Sequence, residues 1–170
     1  MYKGKYEEKD IIFTRVWSMP SPWTFTIKPI KELLKEEFNG GLWADPFAGQ
    51  NSPATVRNDI ELGTKAEYHL DALTFLKDCE TNAYNGVLYD PPYSITQARV
   101  YGKKEFSSMK YWADCKNEMA RILKPGGKAI CFGWNSMGLG KNRGFQMERI
   151  LLVPHGGSKN DTICTVEIKL

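Results

Sequence analysis

The feature that most restricts the fold is the apolar run Gly86 to Tyr89, which stops abruptly at the stretch Asp90-Pro91-Pro92-Tyr93. Proline has no N–H for a sheet ladder and disfavours helical backbone at the residue before it. The run is therefore predicted to be a buried strand that ends at Asp90. A carboxylate then stands at the C-terminal end of a strand, which is where open α/β sheets bind their ligands.

Three more aspartates, Asp45, Asp59 and Asp71, also stand at the ends of predicted strands. A single aspartate after a strand is a common turn or helix-cap residue, but four in succession are much less expected by chance. If the ligand is a nucleoside, each of these acids has a chemical use. Asp59 can accept hydrogen bonds from ribose hydroxyls, Asp71 can accept from an adenine amine, and Asp90 faces the reacting group.

Strand and helix patterns alternate along the chain after an irregular segment at residues 1–24. Helices are predicted at Ile27–Phe38, Ala72–Cys79 and Ser107–Leu123. Strands are predicted at residues 42–44, 54–58, 67–70, 86–89, 128–132, 148–153 and 162–168. This order predicts a single α/β domain over residues 1–170, with a mostly parallel Rossmann-like sheet that ends in an antiparallel hairpin.

Two connections in this order are short. Fourteen positions separate Asp45 from Asp59, and twelve separate Asp59 from Asp71. A crossover helix between parallel strands barely fits in either interval, and Pro53 restricts the first one further. We therefore expect reduced helical cover on one face of the sheet, and the bare face or edge is a candidate surface for a partner.

The composition is that of a globular domain, with 42% hydrophobic and 25% charged residues among 170. No apolar run approaches the roughly 18 residues that a membrane helix needs, and the first ten residues are too charged for a secretory signal. A cytoplasmic protein without membrane contact is expected. Its cysteines have no paired spacing and are predicted to be buried, reduced thiols that hold no metal: Cys79, Cys115, Cys131 and Cys164.

The net charge of +3 alone does not indicate a nucleic-acid-binding protein. The segment Ser94–Lys110, however, carries four basic residues against one acidic residue, directly after the Asp-Pro-Pro-Tyr stretch. The segment is interpreted either as a solvated loop or as a loop that contacts phosphates. In the second interpretation Arg99, Lys103 and Lys104 bind DNA.

Four motifs together resemble those of the S-adenosylmethionine-dependent amino-methyltransferases, especially the adenine-specific DNA methyltransferases. DPFAG at 45–49 is similar to their cofactor loop, and DPPY at 90–93 is similar to their catalytic motif. TIKPIKELL at 26–34 resembles the segment beside the methionine end of the cofactor, and LKPGG at 123–127 resembles the lead into their fifth strand. Longer stretches, such as ILLVPHGGSKNDTICTVE, are similar to a small phage and prophage branch of DNA methylases, and this likeness covers nearly the whole chain.

The resemblance implies S-adenosylmethionine as the cofactor, with no metal. It places Asp59 on the ribose and Asp71 near the adenine of that cofactor. The implied cofactor-binding residues are Lys28, Pro29, Asp45, Pro46, Phe47, Gly49, Asp59, Asp71, Ala72 and Asp90. The chain departs from the family after Gly49, where Gln50 and Asn51 replace the usual Ser-Gly, so that the second glycine of the loop is missing.

The resemblance also implies a role for the stretch Asp90-Pro91-Pro92-Tyr93. The exocyclic nitrogen of adenine is a poor nucleophile because its lone pair is delocalised into the ring. The Asp90 carboxylate and the Pro91 carbonyl can accept its two N–H bonds, the two prolines fix this geometry, and Tyr93 can stack on a base taken out of the duplex. The plain structural alternative is that Asp90 caps a turn and Tyr93 is a core residue.

DNA is the expected substrate, although similar motifs also serve RNA bases. Two alternatives are therefore open at this point: an RNA or free-nucleobase methyltransferase, and a non-catalytic subunit that keeps the fold in order to bind a partner. No separate target-recognition domain is expected between Asp71 and Asp90 or after Ile168. The prediction is therefore either a short or relaxed recognition sequence, or a homodimer or partner subunit that supplies more of the recognition.

Several aromatic and polar residues have two interpretations each, a role at the site or a role in packing and turns. They are Trp17, Met19, Trp23, Phe47, Gly133–Ser136, His155 and Asn160–Asp161. The first three either line a base pocket or seal the uncovered sheet face. Gly133–Ser136 ends the fifth predicted strand and can contact the target nucleotide, whereas His155 and Asn160–Asp161 either form a turn or act directly in catalysis.

Overall fold

A computed structural model describes residues 10–92, 108–157 and 159–170, and its centre is one seven-stranded sheet. The strands are β1 (Ile12–Arg15), β2 (Trp43–Asp45), β3 (Val56–Arg57), β4 (Tyr84–Tyr89), β5 (Leu123–Gly133), β6 (Phe145–Val153) and β7 (Thr162–Lys169). Their order across the sheet is β1-β6-β7-β5-β4-β2-β3. Only β7 runs antiparallel to its neighbours, so the predicted parallel α/β sheet with a C-terminal antiparallel hairpin is confirmed.

Helices cover both faces of this sheet. Helix α1 (Lys28–Glu37) packs on the face that carries Leu88 and Ile130, whereas α2 (Ala72–Asp78) and α3 (Met109–Ile122) pack on the face that carries Val87 and Ala129. Neighbouring residues of β4 and β5 thus point to opposite sides, as successive strand residues must. Because both faces are buried, the central strands are apolar without interruption, which is why their positions could be predicted.

The reduced helical cover is also confirmed. Every residue from Asp45 to Asp71 is described, and the interval contains turns and strand β3 but no helix. Among the described residues, α1 and the 3₁₀ turn Thr24–Thr26 cover the face that carries Leu88 and Ile130, and Phe25 of this turn meets Phe132 edge-on at 5.4 Å between ring centroids. The N-terminal segment thus covers part of this face of the sheet.

Two predicted elements were wrong, both at the borders of the sheet. Within the segment predicted to be irregular, β1 pairs in parallel with β6, with Ile12 opposite Arg149. Its side chains show no buried face, since Ile12 is 60% and Phe13 62% exposed, so no alternation could indicate a strand. Conversely, the strand predicted at residues 67–70 is reduced to a single bridge between Asn58 and Tyr68, at the edge of the sheet where Tyr68 is half exposed.

A glycine in β4 sets the spacing between β2 and β4. Trp43 is fully buried and stacks on Phe38 at 4.1 Å between ring centroids. A Cβ atom built on Gly86 would stand 2.3 Å from the Trp43 ring, so only glycine fits opposite this tryptophan. The close approach holds the ends of β2 and β4, and hence the residues that follow them, at one edge of the sheet.

No helix in the part of the chain covered by the structure is long and apolar enough to cross a membrane. All four cysteines are buried as free thiols, as predicted. Burial raises the pKa of Cys131 to about 12, which keeps this thiol protonated.

Candidate active site

A cavity of about 830 Å³ opens at the C-terminal ends of β2 and β4. One side is formed by Pro46–Asn51, Asp59, Ile60, Leu70 and Ala72, and is called the glycine-loop side here. The other side is formed by Pro20–Phe25, Trp134, His155, Gly157, Lys159, Asn160 and Thr162, and is called the tryptophan side. Asp90, Pro91 and Pro92 line the same cavity, whose volume is typical of a site for a small molecule.

Asp45 shapes the glycine loop from beneath and does not line the cavity. Its carboxyl group is completely buried and accepts hydrogen bonds from the Phe47 backbone N–H at 2.9 Å and the Ser52 hydroxyl at 2.6 Å. Burial is the main cause that raises the pKa of Asp45 to about 7, with smaller contributions from the charges of Asp90 and Asp59. Asp45 was predicted to bind the cofactor, but its placement is that of a residue that supports the glycine loop.

Gly49 and Asp59 meet at the centre of the glycine-loop side. The Gly49 backbone has a φ of +54°, and a Cβ atom built on it would meet nothing within 4 Å, so the backbone faces open space. The Gly49 N–H donates to one Asp59 carboxylate oxygen at 2.7 Å, and the Glu61 N–H donates to the other at 2.9 Å. Each oxygen can accept a further bond, because a carboxylate has about four acceptor positions.

Asn58, which directly follows β3, connects the residue after β2 with the segment before α2, and this role was not predicted from the sequence. Its side-chain amide donates to the carbonyls of Pro46 at 3.1 Å and Leu70 at 3.0 Å, and its oxygen accepts from the Leu70 N–H at 2.9 Å. Asn58 is fully buried, and these bonds hold the glycine loop against the segment that leads into α2. The only signal in the sequence was an amide residue directly before Asp59 at a strand end.

Asp71 caps helix α2. One oxygen accepts from the Thr74 N–H at 3.1 Å and from the Thr74 hydroxyl at 3.3 Å, and the other accepts from the Tyr111 hydroxyl at 2.6 Å. Its neighbours Leu70 and Ala72 line the cavity, but Asp71 does not. The predicted contact between Asp71 and an adenine thus stays a prediction, and the side chain's placement favours a cap.

Lys28 and Pro29 begin helix α1. Pro29 is buried and Lys28 is exposed, and neither lines the cavity; the residue before them, Ile27, does. The predicted cofactor segment therefore borders the cavity through Ile27. Pro29 in the first helical turn fixes the start of α1, where its missing N–H costs no helical bond.

Two aromatic residues line the glycine-loop side near Asp90. Phe47 lies 5.8 Å from Tyr89 and 6.0 Å from Trp112 between ring centroids, so it both packs on the core and faces the cavity. Trp112, in the first turn of α3, was not predicted, because no local pattern in the sequence shows which strand end it reaches.

The tryptophan side contains several residues for which two interpretations were open. Trp23 and Trp134 line the cavity while 47% and 44% exposed, so their rings stand at its rim. His155 and Asn160 also line it, whereas Trp17 and Met19 do not. The remaining predicted residues, Tyr93, Arg99, Lys103 and Lys104, lie outside the described residues.

No group of three or more His, Cys, Asp or Glu side chains within residues 10–92, 108–157 and 159–170 is placed to hold a metal ion. Asp59, one of the acidic residues of the cavity, accepts hydrogen bonds from the backbone N–H groups of Gly49 and Glu61. Such carboxylates suit a ligand that donates hydrogen bonds.

Comparisons with known proteins yield structural relatives alone. No protein-family model matches the chain. No curated protein matches it either. Among solved structures, TrmN from Thermus thermophilus has a TM-score of 0.58 at 18% identity, over 85% of this chain and 49% of that one, so the chain spans about half of that protein's length.

Two other solved structures match over most of both chains. The 1,6-didemethyltoxoflavin-N1-methyltransferase of Burkholderia thailandensis, solved with its substrate and S-adenosylhomocysteine, has a TM-score of 0.56 at 10% identity over 82% of this chain and 75% of that one. The PH0226 protein of Pyrococcus horikoshii has a TM-score of 0.53 at 14% identity over 86% and 88%. At such low identity these likenesses show the fold alone, and the fold is the Rossmann-like fold of the methyltransferases.

Proposed function

We propose that this protein transfers a methyl group from S-adenosylmethionine to the exocyclic amine of adenine in DNA. One observation carries the proposal: Asp90-Pro91-Pro92 and the glycine loop line the same cavity of about 830 Å³. A methyl donor on the loop and an amine at Asp90 would therefore share one enclosed space. The S-adenosylhomocysteine bound to the Burkholderia thailandensis enzyme of the same fold supports this choice of donor.

The residues of the glycine-loop side fit the donor. Gly49 presents bare backbone to open space, and the Asp59 carboxylate beside it can accept from ribose hydroxyls. Ile60, Leu70 and Ala72 add an apolar wall that suits a flat base. When bound, S-adenosylmethionine supplies an electrophilic methyl group on a sulfonium centre.

Asp90 and Pro91 prepare the nucleophile in this proposal. The Asp90 carboxylate and the Pro91 carbonyl accept hydrogen bonds from the two N–H groups of the target amine. This reduces the delocalisation of the nitrogen lone pair into the ring and directs the lone pair at the methyl group. The two prolines restrict the backbone and keep both acceptors in place before the substrate arrives. Catalysis then rests on positioning and on acceptors arranged in advance, and it needs no covalent bond to the protein.

The tryptophan side is proposed to receive the target nucleotide. A base in a duplex must leave the stack to reach a site of this kind. Trp23 and Trp134 offer exposed ring faces at the rim, and stacking of one base on an aromatic side chain is worth roughly 1–3 kcal/mol. Lys159 lines the same side and supplies a positive charge for a phosphate.

Further DNA contacts are proposed for the basic segment that holds Arg99, Lys103 and Lys104. These residues act through phosphates, so they contribute affinity without sequence specificity. A homodimer or a partner subunit is proposed to supply the remaining recognition. The predicted recognition sequence of the chain alone is short, because few residues are left to read base edges.

Incubation with methyl-labelled S-adenosylmethionine and four acceptors tests the function: DNA, transfer RNA, ribosomal RNA fragments and free adenine. Label in DNA, recovered as N6-methyladenine and absent with Asp90→Ala, is the expected result. Label in RNA or free adenine alone would assign the site to the alternative substrate. Cofactor binding without transfer to any acceptor would identify a non-catalytic binding subunit.

A further inference from the structure

The segment Pro20–Phe25 forms one wall of the cavity, called the N-terminal wall here, and few hydrogen bonds connect it to the sheet. Beyond the end of β1, two backbone bonds continue its pairing with β6: the Val16 N–H donates to Leu152 O at 3.0 Å and the Ser18 N–H donates to Pro154 O at 3.2 Å. Further along the described chain, the polar contacts of Ser21, Trp23 and Thr26 are to one another. The wall is anchored at its C-terminal end by Phe25, which is buried against Phe132, so the hold on its other end, before Pro20, depends on what fixes Ser18.

His155 fixes Ser18 from the end of β6. Its Nδ1 lies 2.9 Å from the Ser18 carbonyl oxygen, and its Nε2 lies 2.9 Å from the Thr162 hydroxyl. A carbonyl oxygen can only accept, so Nδ1 carries a hydrogen and donates. Nε2 and the Thr162 hydroxyl form the second hydrogen bond, so both ring nitrogens have a partner.

The ring is held in place by burial as well as by its two bonds. His155 is only 8% exposed, and it stands two residues after the end of β6 while Thr162 opens β7. One side chain thus joins three parts of the tryptophan side: the N-terminal wall, the end of β6 and the start of β7. A rotation of the ring would leave Ser18, two residues before Pro20 lines the cavity, with only its N–H bond to Pro154 O among these contacts.

We propose that His155 is a positioning residue for the target nucleotide: it holds the N-terminal wall, and with it Trp23, against the β6–β7 turn. This role rests on the proposed function. His155 acts through Ser18 and takes no part in the chemistry at the amine. The glycine-loop side is held by Asp45, Asn58 and Asp59 without His155, so the donor site does not depend on it.

Two substitutions separate the two bonds of His155. In His155→Asn the side-chain amide nitrogen stands near the position of Nδ1, which keeps a donor for Ser18 and gives up Thr162. In His155→Gln the longer side chain reaches toward Thr162 and gives up Ser18. Both variants remain polar and neutral, so they form a matched pair.

The pair is compared in steady-state methylation of DNA and in calorimetric binding of S-adenosylmethionine. His155→Gln is expected to raise the KM for DNA roughly tenfold, whereas His155→Asn stays within about threefold of the wild type. The dissociation constant of S-adenosylmethionine is expected to stay within about twofold in both variants. A general loss of structure would raise this constant, so an unchanged value separates a positioning role from a merely structural one. Hydrogen exchange at the Val16 and Ser18 amides is expected to become faster in His155→Gln only.

Each other outcome overturns the role. Equal KM values for the two variants would show that the Ser18 bond does not position the wall. A parallel loss of cofactor affinity would show a general structural role. If His155→Gln does not fold, His155→Leu replaces it: the leucine side chain cannot donate a hydrogen bond to the Ser18 carbonyl, and a KM for DNA equal to that of the wild type would contradict the proposal. Wild-type protein that methylates no DNA would instead overturn the proposed function itself, and the positioning role with it.

Discussion

The two sides of the cavity are built in different ways. On the glycine-loop side, three side chains hold the loop through two or three bonds each: the buried Asp45 accepts two, the half-buried Asp59 accepts two, and the buried Asn58 makes three bonds to Pro46 and Leu70. On the tryptophan side, a segment with mostly local hydrogen bonds is joined to the sheet through Ser18 and His155 and through the packing of Phe25 on Phe132.

The difference suits two kinds of ligand. A side held by many hydrogen bonds keeps one fixed shape, which suits a cofactor that is the same in every turnover. A wall held at few points can adjust, as a nucleotide extracted from different surroundings requires. Changes on the glycine-loop side should therefore affect stability and cofactor affinity, and changes on the tryptophan side should affect the acceptor.

The largest expected effect concerns the pH dependence of stability and lies on the glycine-loop side. The pKa of Asp45 is about 7 in the folded protein against 3.8 for the ordinary side chain. Between about pH 4 and pH 7 the folded protein thus binds one more proton than the unfolded chain. This proton adds on the order of 4 kcal/mol to the free energy of unfolding. The contribution is fully present below pH 4 and is lost as the pH rises through 7.

Asp45→Asn tests this dependence, because the amide is neutral at every pH and can still bond Phe47 and Ser52. Urea unfolding of both proteins between pH 4.5 and pH 8 is the measurement. The free energy of unfolding of the wild type should decline relative to that of the variant over this range. Equal slopes in the two proteins would show that Asp45 is not protonated in the fold.

Removal of Asp59 should weaken the donor site next. Asp59→Ala is expected to cost about 1.5–3 kcal/mol of S-adenosylmethionine affinity, because it deletes an ionised acceptor for the ribose and releases the Gly49 N–H. Isothermal titration calorimetry provides the affinity, and Glu61→Ala, which keeps the backbone N–H that Asp59 accepts, is the control. Unchanged affinity in Asp59→Ala would remove this residue from the cofactor site.

Trp23→Ala should weaken DNA binding and leave the affinity for S-adenosylmethionine unchanged, the reverse of Asp59→Ala. The loss of one stacking face is expected to weaken DNA binding by roughly 1–3 kcal/mol, with Trp23→Phe retaining most of it. Trp17→Ala is the matched control, since Trp17 is exposed but does not line the cavity. Fluorescence anisotropy with labelled DNA that contains an unpaired adenine measures the effect, and equal losses for Trp17→Ala and Trp23→Ala would contradict the assignment.

Asp71→Ala should have the smallest effect on ligands. It removes the cap of α2 and is expected to cost about 1 kcal/mol of stability, as other cap removals do. Thermal melting and cofactor calorimetry are measured together. A loss of cofactor affinity as large as that of Asp59→Ala would restore the contact with adenine that the sequence predicted.

The comparison also explains what the sequence could predict. Strand ends such as Asp90 are marked by local signals, because prolines and acids interrupt apolar runs, and the order of these runs determines a parallel sheet. The sequence did not show where a carboxylate points. Asp45, Asp59 and Asp71 occupy similar positions in the pattern, yet one supports a loop, one lines the cavity and one caps a helix.

The tryptophan side was harder to predict because distant parts of the chain build it. Ser18 and His155 are 137 positions apart, and no periodicity links them. Strand β1 was missed because its exposed apolar side chains follow neither a helix nor a strand pattern. Trp112 was missed because the packing of α3, not its sequence, brings the ring to the cavity.

Methyl transfer by Asp90→Ala tests the central claim most directly. Single-turnover transfer to DNA is measured beside cofactor affinity, with Asp78→Ala, an exposed aspartate outside this cavity, as the control. We expect the rate to fall by at least roughly 10²–10³-fold, because the acceptor for the target amine is gone, while S-adenosylmethionine still binds and Asp78→Ala behaves as the wild type. Near-normal transfer by Asp90→Ala would contradict the account.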